Sequence, residues 1–101
     1  MKKISLSEAQ SVPFDLDGRF LFRSSNNEIV HLTLKAGEVI PEHSNPFDVV
    51  FFIIEGSATL KTDNQSESLI ANDSVYINRN EKRALFNPTD KIVRLLVFKM
   101  M

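Results

Sequence analysis

The hydrophobic positions of this chain come in short bursts with no helical stripe of any length. Seven segments rich in β-branched and aromatic residues recur: RFLFR at 19–23, EIVHLTLK at 28–35, VVFFII at 49–54, SATLKT at 57–62, DSVYI at 73–77, RALFN at 83–87 and IVRLLVF at 92–98. Such residues fit a pleated, half-buried surface, so each segment is expected to be a strand. Between them lie Ser-Ser-Asn-Asn at 24–27, Lys-Ala-Gly-Glu at 35–38, Asp-Asn-Gln-Ser at 63–66, Asn-Arg-Asn-Glu at 78–81 and Asn-Pro-Thr-Asp at 87–90. These are turn residues, tolerant of positive φ or able to bond their own backbone. Only SLSEAQ at 5–10 suits a helical turn, with Ser5 or Ser7 as its cap. The pattern predicts an all-β domain, either a sandwich or a closed barrel.

Periodicity also assigns faces. In EIVHLTLK, Val30, Leu32 and Leu34 alternate with Ile29, His31 and Thr33, as on a strand with one dry face and one mixed face. VVFFII is apolar at every position, so both of its faces need cover. A small barrel interior covers only one. The outer face of Val50, Phe52 and Ile54, or the matching face of IVRLLVF, must meet something else. A second copy of the chain is the simplest candidate, which predicts a homodimer. The other solution folds the N-terminal residues, with Val12 and Phe14, back over that surface. His31 is expected on an exposed or dimer-facing surface.

Composition narrows the function classes. The chain has 101 residues, 43% hydrophobic and 25% charged, which suits a single folded domain over residues 1–101. Lys and Arg number 12 against 13 acidic residues, a net charge of -1. No basic field favours nucleic acid or anionic membranes. Without cysteine there is no disulfide framework and no thiolate metal site. No apolar stretch follows the N-terminal lysines as in a secretory signal, and none approaches the roughly 20 residues of a membrane-spanning helix, so a cytoplasmic location is the default expectation.

The candidate chemistry lies at PEHSNPFDVVFFIIEG, residues 41–56. Gly37, five residues, His43, one residue, Asn45, three residues, Val49, six residues and Gly56 follow a recognisable spacing. A second set follows: Asn72, five residues, Asn78, one residue, Asn80, two residues, Arg83, three residues and Asn87. These two frames, at 37–56 and 72–87, match the spacing of the two cupin motifs. With FFIIEGSATL at 51–60, which looks like the second and third strands of the first motif, the chain resembles a small single-domain cupin from about residue 18 to residue 99. The resemblance implies a double-stranded β-helix, a jelly-roll barrel with its ligand site in the mouth.

In metal-binding cupins, two histidines and a glutamate of the first motif and a histidine of the second hold Fe, Mn, Ni or Zn. Imidazole and carboxylate donors suit these ions. Carried over by position, those four places hold His43, Asn45, Val49 and Arg83. Val49 has no donor atom, and Arg83 is permanently cationic. No metal and no other cofactor is therefore expected, with His43 the one retained ligand type. Glu42 and Asp48 should turn away from the face that carries His43, as solvated rim charges. Lys61, Lys82, Lys91 and Lys99 read as solvated or edge-protecting side chains.

A different pocket is expected instead. His43, Asn45 and Arg83 would converge over a floor of Val49, Phe51 and Leu85, a few polar groups on an apolar wall. Arg83 would take a carboxylate or phosphate in a bidentate pair, Asn45 would donate from its amide, and His43 would donate or accept. The competing local reading has Arg83 reaching from the rim to water and His43 capping a turn. At the level of function, a metal-free homodimeric binding or accessory module stands against a metal-dependent cupin isomerase, dioxygenase or decarboxylase. Such an enzyme would need an atypical set such as His43, His31 and an acid. A sensor with its own helix-turn-helix finds no segment to form one.

Overall fold

The computed structural model describes all residues, Met1–Met101. Its ten strands are β1 (Gln10–Ser11), β2 (Asp17–Arg23), β3 (Asn27–Leu34), β4 (Val39–His43), β5 (Asp48–Glu55), β6 (Ser57–Thr62), β7 (Ser66–Ile70), β8 (Ser74–Ile77), β9 (Arg83–Phe86) and β10 (Val93–Met100). They form a six-stranded sheet, β1-β2-β3-β10-β5-β8, facing a four-stranded sheet, β4-β9-β6-β7. Every pairing is antiparallel. This is the expected all-β jelly roll.

All seven expected strands are present. The three that the hydrophobic pattern does not reveal are short or lie at edges. β4 contains Pro41, and β7 is the mostly polar SESLI; they are the outer strands of the four-stranded sheet. An edge strand pairs on one side only, so proline and polar side chains are tolerated there. At the N-terminus the expected helical turn is a single 3-10 turn, Leu6–Glu8. Ser5 stands at its N-cap position, but its hydroxyl meets the Glu8 carboxylate and caps no backbone amide.

The core lies between the sheets, and strand register builds it. Leu95 of β10 pairs with Leu32 of β3 on one side and Ile53 of β5 on the other, and Val97 likewise pairs with Val30 and Phe51. Across from them, Leu60 of β6 pairs with Leu85 of β9. Leu34, Val49, Ile53, Val93 and Leu95 are wholly enclosed. Burying each such side chain stabilises the fold by about 1.5–3 kcal/mol relative to its exposure.

The motif frame is a frame of turns. Gly37 and Gly56 have φ of 74° and 82°, and Asn72 and Asn80 have 75° and 65°. Asparagine enters this left-handed region more easily than other residues with a Cβ. The two asparagines therefore keep the backbone of the motif's glycines while changing their identity. Asn87, with no exposure, ties the same end together. Its Nδ2 donates toward the carbonyls of Leu34, Lys35 and Lys91, and its Oδ1 accepts from the Thr89 amide and hydroxyl.

The outer face of the six-stranded sheet corrects one expectation. Val12 is part of the core cluster and Phe14 lines the cavity at the barrel mouth, so neither covers the outer face of β5. Residues 5–9 lie instead beside β2 and β3, where Arg19 Nη1 donates to the Ala9 carbonyl at 2.9 Å. His31, on this side of β3, is buried within the chain itself at 4% exposure, against the expectation of an exposed or dimer-facing surface. Val50, Phe52, Ile54, Leu96 and Phe98 are half-buried, with Leu96 opposite Phe52 and Phe98 opposite Val50.

Candidate functional site

A cavity of about 190 Å³ opens at one end of the barrel. β4 and β9 carry its polar side. His43 is the direct cross-strand partner of Arg83, after an irregularity in the pairing between Ile40 and His43. Asn45 follows in the bend between β4 and β5, its backbone carbonyl accepting from the Asn80 amide at 2.7 Å. His43, Asn45, Phe51 and Arg83 all line the cavity, so four of the six expected site residues come together.

The other two do not reach it. Val49 and Leu85 are 0% and 1% exposed and lie within the core cluster, below the cavity wall. Strand alternation places them on the inner face correctly, but the neighbouring apolar side chains cover them. The wall is made by Phe51 with Val30, Leu32 and Val97 from the six-stranded sheet, and by Ile40 from β4. Its remaining side comes from the segment between β1 and β2, through Val12, Phe14 and Leu16.

That segment runs close over the barrel. The Val12 amide donates to the Gly18 carbonyl at 2.9 Å. A Cβ on Gly18 would stand 2.7 Å from Leu32 Cδ2 and 2.8 Å from Val12 Cγ2, so a larger residue would push Leu32 or the strap aside. Phe14 remains 66% exposed at the outer margin. No periodic signal marks Val12, Phe14 and Leu16 as a cavity wall, because they lie outside any long strand.

Arg83 dominates the electrostatics. It is 3% exposed and has no ion-pair or hydrogen-bond partner, and its Nε is buried and unsatisfied. Burial pushes its pKa below the usual arginine value, while the field of Glu81 acts in the opposite direction. The Phe51 ring faces it, with Cζ 5.9 Å from the ring centroid, near the outer limit of a cation–π contact. The expectation that Arg83 extends from the rim to water does not hold.

Lys99 is a residue that sequence reading misplaced. It lines the cavity instead of standing on a solvated face. The signal was present: Val93, Leu95 and Val97 point inward, and Lys99 is next in that alternation. Its Nζ lies 3.7 Å from Glu28, which also pairs with Arg23 at 3.2 Å. Lys99 thus carries a carboxylate beside it, and Arg83 does not.

His43 is exposed, and its Nδ1 lies 2.9 Å from the Pro41 carbonyl. A carbonyl only accepts, so Nδ1 donates and Nε2 remains for another partner. Glu42 is exposed as expected. Asp48 is more engaged than a solvated charge. It accepts from the Arg79 amide at 2.8 Å, and the Tyr76 hydroxyl, followed by that amide, holds its pKa below the usual carboxylate range.

Residues 30–99, well over half of the chain, match the family model of the cupin domain. The chain belongs to the cupin family. Solved structures agree on the fold of this cupin. The polyketide cyclase RemF from Streptomyces resistomycificus is similar with a TM-score of 0.87 at 15% identity, over 99% of this chain and 79% of that one. A cupin superfamily protein from Desulfitobacterium hafniense DCB-2 reaches 0.81 at 18% identity, over 95% and 86%. KdgF from Halomonas sp. reaches 0.77 at 12%, over 92% and 86%. No curated protein matches this cupin in sequence.

The side chains of this cupin do not fit the metal that the family often holds. Nowhere do three His, Cys, Asp or Glu side chains converge. His31 lies on the outer side of β3, away from the cavity that His43 lines, so the two histidines do not share a site. Val49 offers no donor and is sealed in the core. Arg83, at the motif place of a ligand histidine, carries a positive charge that repels a divalent ion. The available chemistry is that of a cation and two neutral polar groups on an apolar wall.

Proposed function

We propose that this cupin is a metal-free binding module that holds a small organic anion in its barrel mouth and works as a homodimer. The observation that carries the reading is Arg83: a guanidinium at 3% exposure, facing a cavity, without a counterion. Burying an unpaired charge costs several kcal/mol (on the order of 3–5). An anion in the cavity would offset that cost, and Arg is suited to take one through a planar, bidentate pair. Asn45 adds an amide and His43 an imidazole at the same mouth.

The dimer part of the reading rests on the outer face of the six-stranded sheet. Val50, Phe52, Leu96 and Phe98 form a cross-strand apolar cluster there, and the N-terminal segment does not lie over them. A self-complementary patch of this kind suits a two-fold axis.

Thermal denaturation against a panel of small carboxylates and phosphates, with elemental analysis of the purified protein, tests the binding reading. Anions are expected to raise the Tm, and Arg83→Ala is expected to abolish the rise. Stoichiometric Fe, Mn, Ni or Zn that is lost in His43→Ala would overturn it in favour of a metal-dependent enzyme.

A further inference from the structure

The two cations of the cavity are not equivalent. Lys99 is matched by Glu28 at 3.7 Å, whereas Arg83 has no carboxylate within ion-pair distance. The nearest acid in sequence, Glu81, reaches Arg83 only through its field and makes no ion pair with it, its Oε1 accepting from the Asn78 amide at 3.3 Å. Of the two lining cations, Arg83 is therefore the one without a paired carboxylate, while Lys99 shares Glu28 with Arg23. A ligand with two negative charges would leave one of them in an apolar chamber without a partner, which is the costly arrangement.

Size and lining act in the same direction. The volume is about 190 Å³, and a water molecule claims about 30 Å³ in the liquid. A whole nucleotide would extend out of it into solvent. Eight of the twelve lining residues are hydrophobic, and the wall opposite Arg83's own strand is Val30, Leu32 and Val97. Inorganic phosphate or sulfate would set charged oxygens against that wall.

Resting on the anion-binding reading above, we infer that the ligand class is a monocarboxylate with a compact apolar body, such as an aryl or branched aliphatic acid. Its carboxylate meets Arg83, and its body packs against Phe51 beneath the strap of Val12 and Leu16. Glu28 is the specificity-determining residue, although it does not touch the ligand. By holding Lys99 it keeps the mouth monovalent.

Calorimetric titration with benzoate, isobutyrate, acetate, succinate and inorganic phosphate, at constant ionic strength, tests this. Benzoate or isobutyrate is expected to bind at least about tenfold more tightly than succinate or phosphate, and acetate to bind weakly for want of a body. Leu16→Ala should weaken benzoate and leave acetate unchanged. In Glu28→Gln, Lys99 is released, and the preference should move toward succinate by about tenfold relative to benzoate. Circular dichroism confirms that each variant is folded. Succinate or phosphate binding more tightly than the monocarboxylates, and depending on Arg83, would overturn the inference and leave the anion pocket standing. If none of the five binds, both readings fall.

Discussion

His43 on β4 and Arg83 on β9 are direct cross-strand partners at the mouth of the barrel. Antiparallel neighbours of this kind hold their Cβ atoms about 4.5–5.5 Å apart. The imidazole and the guanidinium are therefore placed by backbone hydrogen bonding, and no contact between the two side chains is needed.

An arginine kept for binding should be a burden to the empty fold. Arg83→Met removes the buried charge and its unsatisfied Nε while filling similar space. The ligand-free variant is expected to be more stable than the parent by roughly 1–3 kcal/mol. Urea denaturation without added anions measures this. A clear loss of stability would show that Arg83 serves the core more than the cavity.

His31 gives the fold a pH dependence of definite sign. Burial first, and then the positive charge of Arg94, lower its pKa from the ordinary 6.5; the Asp17 carboxylate opposes them, and Arg19 lies across the strand pair. The unfolded chain thus binds a proton more readily than the folded one. Stability from this residue is intact above pH 6.5 and is lost as the pH falls through the lower, folded value. Denaturation midpoints between about pH 8 and about pH 5 should decline more steeply for the parent than for His31→Gln. Equal slopes would count against it.

The two motif glycines should respond differently to alanine. Both have positive φ, but a Cβ on Gly37 meets nothing within 4 Å, whereas one on Gly56 would lie 2.5 Å from the Ile92 carbonyl oxygen. Gly37→Ala is expected to cost only the left-handed backbone penalty, about 1–2 kcal/mol. Gly56→Ala adds a backbone clash and should cost clearly more, roughly 3 kcal/mol or above. Paired chemical denaturation curves decide the ranking.

Leu96 sits between Phe52 and His31 on the outer face of the six-stranded sheet. If that face joins two copies, Leu96→Glu places two like charges near the dyad. Light scattering at micromolar concentration should then give a dimer for the parent and a monomer for the variant. A monomeric parent would remove the dimer from the proposal.

Much of this fold was legible in the chain because a strand with one dry face announces itself by alternation. The strands from RFLFR to IVRLLVF appear where that pattern and the turn residues put them. β4 and β7 were hidden because an edge strand has no such requirement: Pro41 and the polar residues of SESLI break the pattern without breaking the sheet. At the site, motif spacing brought His43, Asn45, Phe51 and Arg83 to one cavity. Spacing says which face a residue takes but not how deep it lies, so Val49 and Leu85 were assigned to a floor that other side chains cover. Lys99 was the opposite case. Its lysine chemistry suggested solvent, and the alternation of its strand, which was the better guide, pointed inward.

The strap between β1 and β2 bears on where the working unit of this protein begins. Val12, Phe14 and Leu16 close one side of the cavity, yet all three precede the stretch 30–99 that defines the family. A chain trimmed to that stretch would also lose β2 and would leave the cavity open along one flank. The likeness to RemF covers 99% of this chain, so the matched stretch is shorter than the fold to which it belongs. A change at Val12, Phe14 or Leu16 would thus reshape the cavity while leaving residues 30–99 untouched.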